Sequence, residues 1–159
     1  MAISQTLSVD YSNRKIDLHI FQGVNAPNSS DITPSFGKIS NFCTGIQKLA
    51  QRYTICLLTE LGSQVSFSDF GSDLITSLTS SSNLYNRADL YPIFNEANAK
   101  IEAEFYDHDQ KYPGAPDDER LASAALVDIL STPTGGVALS VELQTYSVEP
   151  VSFIIPLPI

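Results

Sequence analysis

Between Ile39 and Leu57 apolar side chains return every three or four residues, and between Val137 and Leu157 they return every second residue. A helix repeats every 3.6 residues and a strand every two, so a chain with both patterns in that order builds helices first and a sheet afterwards. Segregated elements of this kind define the α+β class. The expected architecture is an N-terminal hairpin followed by helices packed on a C-terminal antiparallel sheet.

The helical part divides in three. Ile39, Phe42, Cys43, Ile46, Leu49, Ala50, Tyr53, Cys56 and Leu57 form one wide apolar stripe on a helix expected over Ile39–Leu61 and terminated by Gly62. A second helix is expected to start near Ser72-Asp73, with a capping side chain and with Leu74, Ile75 and Leu78 facing inward, until Thr79-Ser80-Ser81-Ser82-Asn83 interrupts it. The third runs from Asp89 to Asp107, with Pro92 in its first turn and Leu90, Ile93, Phe94, Ala97, Ile101 and Phe105 on its apolar face. Glu102, Glu104 and Asp107 crowd its outer side and C-terminal end, where negative charge opposes the helix dipole. That end is expected to be wet or to meet a basic partner.

Tyr112-Pro113-Gly114-Ala115-Pro116 breaks the chain. Strands follow, within Leu121–Leu130, over Val137–Thr145 and over Val151–Leu157, and their short connections predict an antiparallel meander. Pro156 and Pro158 mark the last strand as an edge. Upstream, Leu7, Val9 and Tyr11, then Ile16, Leu18 and Ile20, alternate with polar residues on either side of Ser12-Asn13-Arg14 and read as a hairpin. Residues 23–34 read as a connecting loop. Residues 1–35 are therefore an extension and residues 36–159 the core domain. There are no internal repeats.

The 159 residues suit one domain with a real core. The net charge is −9 and the nine Lys and Arg are scattered, which disfavours nucleic acid and anionic membrane surfaces as partners. An acidic exterior suits solubility or docking on a basic surface. No apolar run reaches transmembrane length, and the first residues lack the basic start and apolar stretch of a secretory signal, so synthesis in the cytoplasm is expected. Cys43 and Cys56, placed in one helix, would stand roughly 20 Å apart at 1.5 Å per residue. That is too far for a disulfide, so both read as small buried hydrophobes.

Motifs for chemistry are weak. Asp69-Phe70-Gly71 spells the magnesium-binding triplet of protein kinases, but the chain has neither a glycine-rich loop nor a catalytic loop. His108 lies between Asp107 and Asp109 with no second His or Cys spaced to complete a metal site. His19 reads as a surface residue of a strand. The pairs Glu102/Glu104 and Asp107/Asp109 raise lysozyme-like glycoside hydrolysis of peptidoglycan, which needs two carboxylates across a cleft. These acids lie in a polar run, and the chain has no Trp to stack on sugars. Serine, cysteine and phosphate-loop chemistry has no matching constellation. The expectation is a non-enzyme without catalytic residues, cofactor or metal.

Leu57-Leu58-Thr59, Gly62-Ser63, then Asp69-Phe70-Gly71 and Leu74 set the path of the backbone between two helices. This order resembles the signature of the baseplate wedge family that initiates the contractile sheath of phage tails, a lysozyme-like wedge protein family shared with a type VI secretion baseplate subunit. The family pattern is Leu-Leu-Thr-x-x-Gly, a spacer, then an aromatic-Gly pair opening a helix; the spacer often carries Pro where this chain has Ser68. A second landmark, Glu-Pro-Arg and an apolar residue, is matched by Asp118-Glu119-Arg120-Leu121, with Glu119 standing where Pro is expected. The strand pair over residues 137–151 also looks like the family's ending, and the resemblance covers roughly residues 39–157.

The resemblance implies a structural component, in six-fold copies, that docks on baseplate wedge proteins and templates the first ring of the tail sheath protein, with central hub or tube proteins as further neighbours. Its place would be the virion tail baseplate, after assembly in the host cytoplasm. Candidate partner-binding residues are Asp118, Glu119, Arg120 and Leu121, then Gly62, Asp69, Phe70 and Gly71 at the junction, and Val151, Phe153 and Ile155 on the last strand. Arg120 is the stronger candidate of the charged step, since a guanidinium pairs bidentately with carboxylates. The same residues also fit a solvated turn, and the last strand an ordinary sheet edge. An unpaired edge can accept or donate a strand through its main chain.

Overall fold

The computed structural model describes residues 15, 17–18, 21–22, 33–34, 42–80, 87–131, 136–147 and 150–157. In chain order the elements are β1 (Asp17–Leu18), β2 (Phe21–Gln22), β3 (Thr33–Pro34), β4 (Phe42–Cys43), α1 (Gly45–Leu58), α2 (Leu74–Ser80), α3 (Arg87–Lys111), a 3-10 turn (Asp117–Glu119), β5 (Leu121–Ser131), β6 (Val137–Thr145) and β7 (Val151–Pro156). The architecture is α+β, as the two periodicities require.

The C-terminal sheet has the order β5-β6-β7, antiparallel throughout. β6 carries the alternating pattern: Val137, Leu139, Val141 and Leu143 are all buried. With Leu121 and Ile129 of β5 and Phe153 and Ile155 of β7 they meet Leu49, Tyr53 and Leu57 of α1, Leu74 and Leu78 of α2, and Leu90, Phe94, Ala97, Ile101 and Phe105 of α3 in one cluster. Burial of side chains this size contributes about 1.5–3 kcal/mol each.

The described N-terminal strands pair with later segments of the chain. Asp17–Leu18 pairs antiparallel with Phe42–Cys43, and Phe21–Gln22 pairs with Thr33–Pro34. The predicted first strand, Leu7 to Tyr11, lies outside the described residues. Cys43 consequently belongs to a strand, and α1 starts at Gly45 instead of Ile39. The Cys43–Cys56 separation within a helix therefore has no meaning, although both cysteines are free and buried.

Why α1 begins where it does is a tertiary matter. Thr44 is extended and makes no side-chain cap. The cap comes instead from Glu119, whose Oε1 accepts the Gly45 N–H at 3.1 Å, across 74 residues of sequence. A carboxylate at a helix N-terminus meets unpaired amides and the positive end of the dipole. Lys48 closes the arrangement: its Nζ donates to Glu119 Oε2 at 2.8 Å and to the Lys15 carbonyl at 2.9 Å.

α1 ends at Leu58, four residues before Gly62, because Thr59 turns extended while its N–H and hydroxyl both donate to the Ile55 carbonyl. α2 starts as expected: Ser72 Oγ accepts the Leu74 N–H at 3.2 Å and donates to the Leu57 carbonyl at 2.7 Å. α3 is longer at both ends than the sequence indicates. Pro92 therefore falls in its second turn, where it donates no hydrogen bond to the helix.

Candidate interaction surfaces

The charged step after the proline break is mostly occupied within the chain. Glu119 is buried as the α1 cap, and Leu121 is buried in the core as the first residue of β5. Neither side chain is presented to a partner, which corrects both assignments. Glu119 instead holds the Gly45 N–H and Lys48 together inside the chain. Arg120 lies across the Tyr146 ring at 4.6 Å, with its Nε 3.5 Å from Asp109 Oδ2 and its Nη1 3.4 Å from Asp117 Oδ1. Asp109 is buried near the C-terminal end of α3, and its other neighbour is His108, Nδ1 to Oδ1 3.6 Å. The basic group meeting that acidic helix end is therefore Arg120 of the same chain.

Beside this step Asp109, Tyr112, Pro113, Ala115 and Arg120 line a cavity of about 180 Å³. Small-molecule sites run to roughly 300–1,000 Å³. Glu102 and Glu104 do not line it. Glu102 Oε1 accepts the Ala124 N–H at 2.8 Å and Asn98 Nδ2 at 2.9 Å, while Glu104 Oε2 accepts the Cys56 thiol at 3.3 Å. These carboxylates hold elements together. No group of three or more metal-ligating residues occurs among the described residues.

The junction between α1 and α2 is a closed loop. Its neck is a parallel bridge of Glu60 with Ser72, in which Leu61 N–H donates to the Ser72 carbonyl at 3.1 Å and Ser72 N–H to the Thr59 carbonyl at 2.8 Å. Gly71 makes the neck possible. Its φ is +114°, and a Cβ there would stand 2.6 Å from the Thr59 carbonyl oxygen, so no other residue fits without moving backbone. Gly71 is buried and Phe70 half-buried against the core, while Gly62 and Asp69 are exposed. Between them Val65 is fully exposed and Phe67 68% exposed. Sequence periodicity did not single out these two, because a short apolar–polar passage reads equally as strand or loop. The signal was the pair of glycines around it.

The sheet edges differ. On β5 three peptide groups are engaged by α3: Ala124 N–H donates to Glu102, Asn98 Nδ2 donates to the Ala124 carbonyl at 3.1 Å, and the Tyr91 hydroxyl reaches the Val127 carbonyl at 3.5 Å. Beyond β7 no strand lies among the described residues. Leu157 N–H donates to the Val137 carbonyl at 2.9 Å, which fixes the phase of the ladder. The peptide groups of Ser152 and Ile154 therefore face away from β6, and Pro156, in the same phase, offers no N–H. Phe153 and Ile155 are buried and Val151 half-buried on the inner face, so their side chains are core and not interface.

No protein-family model, curated protein or solved structure matches the chain.

Proposed function

We propose that this chain is a structural component of a contractile-tail baseplate, docking on wedge proteins and templating the first ring of the sheath. The observation that supports the reading best is the asymmetry of the sheet. A part that starts a polymer needs one reproducible place to add a strand, and here one edge is engaged by α3 around Ala124 and Val127, while along β7, among the described residues, the peptide groups of Ser152 and Ile154 are directed outward with no further strand beside them. The order Leu57-Leu58-Thr59, Gly62, Asp69-Phe70-Gly71 is the sequence resemblance that names the kind of polymer.

In this reading the neighbours are wedge proteins on one side, the sheath protein on the other and hub or tube proteins toward the axis, with six copies in the ring. The main chain of β7 carries the sheath contact.

Deleting β7 would not test this, because Phe153 and Ile155 belong to the core. Ile154→Pro does. It removes an outward N–H and leaves the bonds to β6 in place. Folding should persist, and sheath polymerisation seeded by the purified chain and its wedge neighbours should be lost. Ile154→Ser, which retains the N–H, should seed normally. Sheath growth from the proline variant at the parent's rate would sink the strand-edge template.

A further inference from the structure

The loop of residues 61–69 has a shape and composition that neither the core nor the sheet edge uses. It is pinned at its neck by the Leu61–Ser72 and Ser72–Thr59 hydrogen bonds and stiffened by three internal turns: Ser63 N–H to the Glu60 carbonyl, Phe67 N–H to Gln64 and Phe70 N–H to Phe67, each 3.1 Å. A loop held this way loses little conformational freedom on binding. At its tip Val65 and Phe67 are exposed, and Leu61 is 38% exposed at its base. Among the described residues Val65 buries nothing and Phe67 leaves about two thirds of its surface exposed.

Charge narrows the partner. From Leu61 to Asp73 there is no Lys or Arg. Glu60 and Asp69 are exposed at the two ends of the loop; at the neck Cys56, whose sulfur faces the Gly71 amide, has both Glu104 and Arg52 near it, so the acidic collar is the work of Glu60 and Asp69. Lys100, on α3, is engaged by Asp73. An acidic collar around an apolar tip disfavours a second copy of this chain, which carries net charge −9, and disfavours an anionic membrane. It fits an apolar socket rimmed by lysine or arginine.

We infer that Val65 and Phe67 form a preformed plug that seats in such a basic-rimmed apolar socket on a neighbouring protein of the assembly. The inference rests on the structural reading above and adds a second contact, separate from the β7 edge. The aromatic ring is the anchor and Val65 packs beside it; the acidic collar orients approach.

The test uses the full chain and candidate wedge and sheath proteins from the same source. Phe67→Ser and Val65→Ser should leave the thermal unfolding midpoint unchanged, both side chains being exposed, yet Phe67→Ser should weaken binding to one neighbour by at least about tenfold. Binding of the parent chain should also weaken as salt is raised to about 0.5 M, where screening reaches within roughly 5 Å. A benzophenone side chain at position 67 should, on irradiation, cross-link to an apolar segment of that neighbour flanked by Lys or Arg. Equal binding by parent and Phe67→Ser would overturn the plug while leaving the baseplate reading intact. Cross-links confined to copies of this chain, or Phe67-dependent pelleting with phosphatidylcholine vesicles, would also overturn it. If the parent chain binds none of those proteins, the baseplate reading falls and takes the plug with it.

Discussion

Glu119 shows how one side chain can serve the fold while resembling an interface residue. Its position in the Asp118–Leu121 step invites a partner-binding role, and its surroundings assign it to the α1 N-terminus and Lys48. Removing one partner of a buried pair strands the other charge, a cost of about 3–5 kcal/mol. Lys48 is slightly exposed, so Glu119→Ala should destabilise by about 3 kcal/mol, read as a lower urea midpoint at unchanged slope. In a double-mutant cycle with Lys48→Met the two losses should be strongly non-additive. Additive losses would mean that the pair does not act as a unit. Arg120 is different: it is shared between Asp109, Asp117 and the Tyr146 ring, yet about a third of it stays exposed, so it retains donors for an outside carboxylate.

Among the elements, α3 is the helix tied most directly to the sheet, through β5. It packs on β5 and joins it through a polar chain in which the Tyr53 hydroxyl donates to Asn98 Oδ1 at 2.6 Å, and Asn98 and Glu102 engage both peptide groups of Ala124. The chain leaves no buried polar side-chain atom unpaired among the described residues. Burial raises the Tyr53 hydroxyl well above its ordinary pKa, so it stays a donor. Asn98→Ala should cost about 2 kcal/mol by orphaning the Tyr53 hydroxyl and the Ala124 carbonyl. Hydrogen exchange should then accelerate at Ala124 more than along β6. Protection at Ala124 equal to the parent's would show that the helix does not hold this edge. The same chain of bonds occupies part of the β5 edge, so the proposed strand addition is tested at the element scale by Ile154→Pro on β7.

At the scale of the whole molecule the two thiols give a pH dependence. Burial is the main cause that raises Cys43 to about 11 and Cys56 to about 12, and nearby Asp17 and Glu104 add to it. A thiol whose folded pKa is raised favours the folded state below the unfolded pKa and loses that contribution as pH climbs toward the folded one. Above about pH 9 the unfolded chain binds fewer protons than the native chain, so stability should fall between about pH 9 and 12. Urea titrations at pH 8 and pH 10 check this, and replacing both cysteines with Ala should shrink the difference to the part that the buried Tyr53 hydroxyl supplies. A thiol reagent at pH 8 should react with neither cysteine until the chain unfolds. The sequence by itself determined the class, the β6 and β7 strands and the faces of α1 and α3, because alternation and helical spacing record local burial directly. It also located the corner at Gly62–Gly71, since a glycine of positive φ leaves its mark at one position. Only the tertiary structure decided where α1 begins, which sheet edge has no further strand beside it among the described residues, that Phe153 and Ile155 are core, and that Val65 and Phe67 stand out from the surface. Each of these depends on groups far apart in the chain, such as Glu119 on Gly45 or Glu102 on Ala124, and no local pattern of residues encodes such a meeting.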